Sequence, residues 1–184
     1  MSTSSGPLNP DYLVRTADLP PDALPHRIHP VVSTNHRYQL SLGDKTGLTK
    51  TAVHFCRLPA GATSTTLHWH MHDDEWFYVL EAGSDAVLLV WEGDSTSLKA
   101  GEAVVPREEG VKPGDFLGFK AGIPRAHAFR AGAKEMVYLI GGSREELDIS
   151  RYPAEGKSRI TGRDVEWTLE DKLVSISEKR PYQK

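Results

Sequence analysis

His68-Trp69-His70-Met71-His72-Asp73-Asp74-Glu75 runs directly into Trp76-Phe77-Tyr78-Val79-Leu80. Three histidines and several carboxylates are followed at once by an apolar, strand-forming run. Side chains two apart on a strand share a face, so His68 and His70 look one way and Trp69 the other. Imidazole nitrogens and a carboxylate projecting together from adjacent strands are the raw material of a transition-metal site. Burying such a set without an ion would leave several polar groups needing partners. The bland alternative is a solvated turn at Asp73-Asp74 and unrelated surface histidines. The chain has eight histidines. His26, His29, His36 and His54 carry no spacing that argues for a site. His127, in Arg125-Ala126-His127-Ala128-Phe129, sits on a strand-like segment of its own and is the candidate fourth ligand.

Outward from this stretch the pattern is one of short strands cut by Gly, Pro and Asp turns. Expected strands are Arg37 to Leu42, Lys50 to Leu58, Thr63 to His70, Glu75 to Glu81 and Ala86 to Trp91. Asp115 to Phe119, Ala126 to Phe129 and Glu135 to Ile140 complete the set, which Gly141-Gly142-Ser143 should end. Such a pattern indicates an all-β barrel or sandwich. In Glu75 to Glu81, Phe77 and Val79 share a face with Glu75. Trp76, Tyr78 and Leu80 make the other face apolar too, so this strand is expected to be covered on both sides, by a second sheet or a subunit contact. Residues 93–114 read as a long connection holding one short strand, Glu102 to Val105, and as a surface excursion ahead of a cover over the site. Glu145 to Asp148 reads as a helical turn. Asp164 to Ser177 reads as a strand followed by a short helix. The division is an N-terminal arm over 1–30, a barrel over 31–150 and a C-terminal extension over 151–184.

These motifs resemble those of the cupin superfamily, in its single-domain form. The first cupin motif is matched by Gly61, His68-Trp69-His70, Glu75 and Gly83. The second is matched by Gly114, Gly118, Lys120-Ala121-Gly122 and His127, with Lys120 standing where the family has Pro and Ala131 where it has Asn. The gap from glycine to histidine is longer than in the family pattern. Leu42-Gly43-Asp44-x-Thr46-Gly47-Leu48-Thr49 and Tyr152-Pro153-Ala154-Glu155-Gly156-Lys157 extend the likeness over roughly residues 30 to 160. The resemblance implies a double-stranded β-helix, or jelly-roll barrel. It implies one divalent transition metal ion (Fe, Mn, Ni, Zn or Cu) held by His68, His70, Glu75 and His127. It also implies a homodimer.

The remaining features bound the function. The net charge of −3 gives no footprint for nucleic acid or an anionic membrane. No apolar run approaches the roughly 20 residues that span a bilayer, and Met1 to Gly6 lacks a secretory pattern, so a soluble cytoplasmic protein is expected. The one cysteine, Cys56, excludes an internal disulfide and reads as a packed strand residue. The expected function is metal-dependent catalysis on a small oxygenated molecule, by dioxygenase chemistry ahead of isomerase or lyase chemistry. The alternative is a non-catalytic barrel that binds or senses a small molecule. His72 is the candidate general base, or else a rim residue. Arg125 is the candidate clamp for an anionic substrate, or else exposed. Lys120 and Tyr138 have similar open readings, and Phe129 shares the His127 face.

Overall fold

The computed structural model describes residues 11–20, 23–93, 102–162 and 164–173. The described residues form three antiparallel sheets. The largest has the order β1-β2-β3-β10-β5-β8. Its strands are β1 (His26–Ile28), β2 (His36–Ser41), β3 (Thr51–Leu58), β5 (Glu75–Glu81), β8 (Phe116–Phe119) and β10 (Met136–Ser143). A second sheet has the order β7-β6-β9, from β6 (Val87–Glu92), β7 (Arg107–Gly110) and β9 (Arg125–Arg130). A third has the order β13-β12-β11-β4, from β4 (Trp69–His70), β11 (Leu147–Tyr152), β12 (Lys157–Gly162) and β13 (Glu166–Glu170). One helical turn, α1 (Leu42–Lys45), follows β2 among the described residues and takes in Leu42, expected as the end of that strand, with the Ser41 hydroxyl accepting from the Asp44 amide. The all-β barrel expected from the turn pattern is what forms.

The core lies between the sheets. Cys56 and Leu58 from β3, Phe77 and Val79 from β5, Leu88 and Val90 from β6, Phe129 from β9 and Tyr138 from β10 pack into one apolar cluster. Cys56 is fully buried, as its place in the alternating strand requires, and burial pushes its thiol up to about 12. Tyr138 and Phe129 are core side chains too.

Several sequence expectations give way to local chemistry. Thr63 to His70 is not a continuous strand. Thr63 and His68 make isolated bridges, and only Trp69–His70 is regular. Between them, the Ser64 hydroxyl accepts from the Phe129 amide, and the Ser64 carbonyl accepts from Arg37. Side chains thus take bonds a ladder would use. The short strand expected at Glu102 to Val105 lies instead at Arg107–Gly110, just after Pro106, which has no N–H to give. Residues 94–101 of that connection lie outside the described residues. Gly141-Gly142-Ser143 does not end the barrel pattern, because β10 continues through it. A Cβ on Gly141 would lie 2.0 Å from Trp76 Cζ2, and one on Gly142 2.4 Å from the Asp74 carbonyl oxygen. Those glycines let the chain before β5 cross closely over β10. The helical turn expected at Glu145 to Asp148 is replaced at its end by β11, paired along its length with β12. Beyond β13 there is one 3-10 turn, Asp171–Leu173, and the rest of the expected helix lies outside the described residues. Among the described residues the outer face of β5 stays partly open, with Tyr78 39% and Leu80 37% exposed. Trp76 packs against Phe116. No helix among the described residues is long and apolar enough to cross a membrane.

Candidate metal centre

Four sequence-selected side chains come together at one place between the sheets. His68 and His127 exchange both backbone hydrogen bonds, His127 N to His68 O at 3.0 Å and His68 N to His127 O at 3.5 Å. Residues paired in this way on antiparallel segments project to one side. His70 lies two residues from His68 and pairs with Ser150 on β11. Glu75 opens β5, between Phe119 and Gly142 of the flanking strands. The Glu75 Oε2 atom is 4.0 Å from His68 Nε2, 3.8 Å from His70 Nε2 and 2.7 Å from His127 Nε2. Ligand atoms of His68, His70 and Glu75 all lie within 4.8 Å of one another. His127 joins the group through Glu75 and is stacked on Phe119, centroids 3.7 Å apart.

The far side of each ring is held. His68 Nδ1–H donates to the Thr66 carbonyl at 2.9 Å, and His127 Nδ1–H to the Arg125 carbonyl at 3.2 Å. His70 Nδ1–H donates to Asp148 Oδ2 at 2.5 Å. All three rings therefore turn Nε2 towards the carboxylate. An acceptor bonded to one ring nitrogen fixes the tautomer and orientation of the other, the usual arrangement behind a metal-ligating histidine. His70 Nε2 is buried and has no hydrogen-bond partner. Three lone pairs facing an anion repel one another unless a cation or protons lie among them. An orphaned imidazole nitrogen beside other imidazoles and a carboxylate fits a divalent transition ion better than Ca or Mg, which take oxygen.

Electrostatics agree with that geometry. Burial alone would raise the Glu75 carboxyl, but the His127 hydrogen bond and the three imidazoles hold it well below the usual range. Burial and the neighbouring His70 charge push His68 well below 6.5, so it stays neutral. Burial opposes charge on His70 as well, yet the Asp148 hydrogen bond and the nearby carboxylates lift it to about 9. A metal ion would compete with that proton for Nε2.

Asp148 was not legible as a site residue in the sequence, and it does more than orient His70. Its other oxygen accepts from the backbone amides of His72 and Asp73, at 3.0 and 3.3 Å. It thereby fixes the turn between His70 and Glu75. His72 itself is exposed, and its ring lines neither the cavity nor the cleft described next. Arg125 is also exposed and holds Glu92 at 2.8 Å, at the edge of a cleft of about 90 Å³ that Lys120 shares.

His70, Asp73 and Glu75 line both this cleft and a much larger cavity of about 580 Å³. Its walls carry Arg37, His54, Ser150, Tyr152 and Arg159 beside the metal-type cluster. Tyr152 stacks on His68, with centroids 5.7 Å apart. Tyr152 and Arg159, from the segment expected as a C-terminal extension, thus stand on the cavity wall.

No family model matches the sequence. No curated protein matches it either. Solved structures do. A protein of Acidithiobacillus ferrooxidans, described as a candidate sugar phosphate isomerase, is similar over 92% of this chain and 98% of its own. The identity is 24% and the TM-score 0.76. A protein of Silicibacter pomeroyi, described as a sugar phosphate isomerase from a cupin superfamily, is similar over 85% of this chain and 94% of its own. Here the identity is 24% and the TM-score 0.64. The shared architecture gives this chain the cupin fold.

Proposed function

We propose that His68, His70, Glu75 and His127 hold one divalent transition metal ion, and that the large cavity brings a small oxygenated substrate to it for isomerase-type proton transfer. The observation that carries this reading is the orphaned, buried His70 Nε2 aimed at Glu75, with Asp148 fixing the ring from behind. When bound, the ion would polarise a carbonyl or hydroxyl oxygen and raise the acidity of the adjacent C–H or O–H. The cavity walls are rich in hydrogen-bonding groups, which suits a hydrophilic, oxygen-rich molecule. Isomerase chemistry takes precedence over the dioxygenation expected from sequence, in keeping with how the two similar structures are described.

Proton transfer needs a base. His54 lines the cavity, and its Nδ1 is buried with no hydrogen-bond partner. Burial, then the Arg37 charge, lowers its pKa, so it is neutral at physiological pH and free to accept a proton. We assign it that role.

Metal analysis of the purified protein beside a His70→Ala variant tests the centre. Near-stoichiometric metal that is lost in the variant is expected. No uptake by the native chain, even on reconstitution, would overturn it. Loaded protein is then incubated with aldose and ketose substrates in D2O. Carbon-bound deuterium that disappears in His54→Gln is the expected outcome. Ligand binding without exchange or turnover would leave a binding barrel instead.

A further inference from the structure

The cavity holds a charge imbalance away from the metal-type cluster. Arg27 on β1 and Arg37 on β2 are direct cross-strand partners, so their side chains share a face. Both line the cavity, Arg27 exposed and Arg37 half-buried. Like charges directly opposite one another destabilise a strand pair. Among the described residues neither arginine forms an ion pair with a carboxylate. Arg37 is nonetheless held in place. Its Nε donates to Gln39 Oε1 at 2.7 Å and its Nη1 to the Ser64 carbonyl at 2.8 Å. A positioned guanidinium with no ion-pair partner among the described residues, opposite a second one, is an arrangement that an anion would complete.

His29 adds a donor to the same wall. Its Nδ1 accepts from the backbone amides of Val31 and Val32, at 3.2 and 3.3 Å. The ring hydrogen is therefore on Nε2, and the ring lines the cavity. Burial, then the charges of Arg37 and Arg159, lowers His29 to about 4, so the ring is neutral at physiological pH. Arg159 is different, because Glu166 already pairs with it. The unmatched charge belongs to the Arg27–Arg37 pair.

We propose that Arg27, Arg37 and the His29 Nε2–H form a subsite for the phosphate group of a phosphorylated substrate whose oxygenated end reaches the metal centre. Two guanidinium groups without an ion-pair partner among the described residues match the two negative charges of a phosphate monoester, whereas a single carboxylate would leave one unmatched. The subsite rests on the reading of this cavity as the substrate site. It is separable from the metal by experiment.

The test is calorimetric titration of the full-length, metal-loaded chain with inorganic phosphate, and separately with acetate, with metal content measured on the same samples. Saturable phosphate binding at one site, with acetate much weaker, is expected. Arg27→Gln should weaken phosphate binding at least tenfold, leave metal content unchanged, and leave the thermal midpoint unchanged or higher, since one of two repelling charges is gone. A merely structural arginine would lower that midpoint. Arg37→Gln should act in the same direction. Should it fail to fold, Arg27→Gln decides alone. No saturable phosphate binding by the metal-loaded protein, wild-type affinity in Arg27→Gln, or acetate bound as tightly as phosphate would each overturn the subsite. Phosphate binding that depends on Arg27 in a chain that takes up no metal would uphold the subsite and sink the metal reading.

Discussion

Replacing Asp148 by Asn tests the metal centre at a residue outside the proposed ligand set. The wild-type carboxylate accepts from His70 Nδ1–H at 2.5 Å through Oδ2, while Oδ1 accepts from the amides of His72 and Asp73. In Asp148→Asn the amide oxygen can keep the two backbone bonds, so the turn between His70 and Glu75 survives. The amide nitrogen then faces His70 Nδ1 with a donor. The ring relieves that clash by moving its hydrogen to Nε2, which removes the lone pair aimed at Glu75 and the ion. Loss of an outer hydrogen-bond partner of a metal-bound histidine costs roughly 10- to 100-fold in affinity, or about 1.4 to 2.7 kcal/mol. The upper part of that range is expected here, because the substitution reverses the polarity of the bond. The assay is competition for Zn or Mn against a chromophoric chelator, with circular dichroism confirming the fold. An affinity within threefold of wild type, in a folded variant, would refute both the role of His70 Nε2 and the arrangement built on it.

Other expectations follow from single groups. His29 has a folded pKa near 4, below its unfolded value of 6.5. The unfolded chain therefore binds its proton first, and the stability His29 contributes is complete above pH 6.5 and lost as pH falls towards 4. Thermal midpoints of wild type and His29→Gln should hold a constant difference above pH 6.5, with wild type losing ground below it; parallel curves throughout would contradict the neutral-donor assignment. Cys56, fully buried with its thiol pushed up to about 12, should resist a thiol reagent in the native protein and react at once in denaturant. Rapid native labelling would mean that β3 opens far more readily than its packing implies. Gly141→Ala sets a methyl against the Trp76 ring and should destabilise by about 1 to 3 kcal/mol in a denaturant titration. A neutral result would show that Trp76 can swing away from β10.

Some of this protein was legible because the signal is local, and the rest was hidden because it depends on who faces whom across a sheet. The period-two spacing of His68 and His70, with Glu75 opening an apolar strand, selects side chains that converge in the fold. His127 was harder to find by spacing, yet its backbone pairs with His68. Asp148 lies seventy-eight residues from His70 and meets it only because β11 pairs with β4. No local pattern marks it, and its segment read as a helical turn. Arg27 and Arg37 were similarly silent, since a ten-residue separation means nothing until the β1–β2 register sets them opposite each other. The residues that build the cluster are thus carried by one motif, while those that would choose its substrate are scattered over β1, β2, β11 and β12. Such scattering is what lets one barrel keep its metal-type cluster while the wall around it changes. It also locates the discriminating mutations: His70 and Asp148 for the centre, Arg27 and Arg37 for what the centre acts on. If Arg27→Gln and Asp148→Asn each impaired both phosphate and metal binding, the two sites would be one, and the division of labour argued from the sheet register would be wrong.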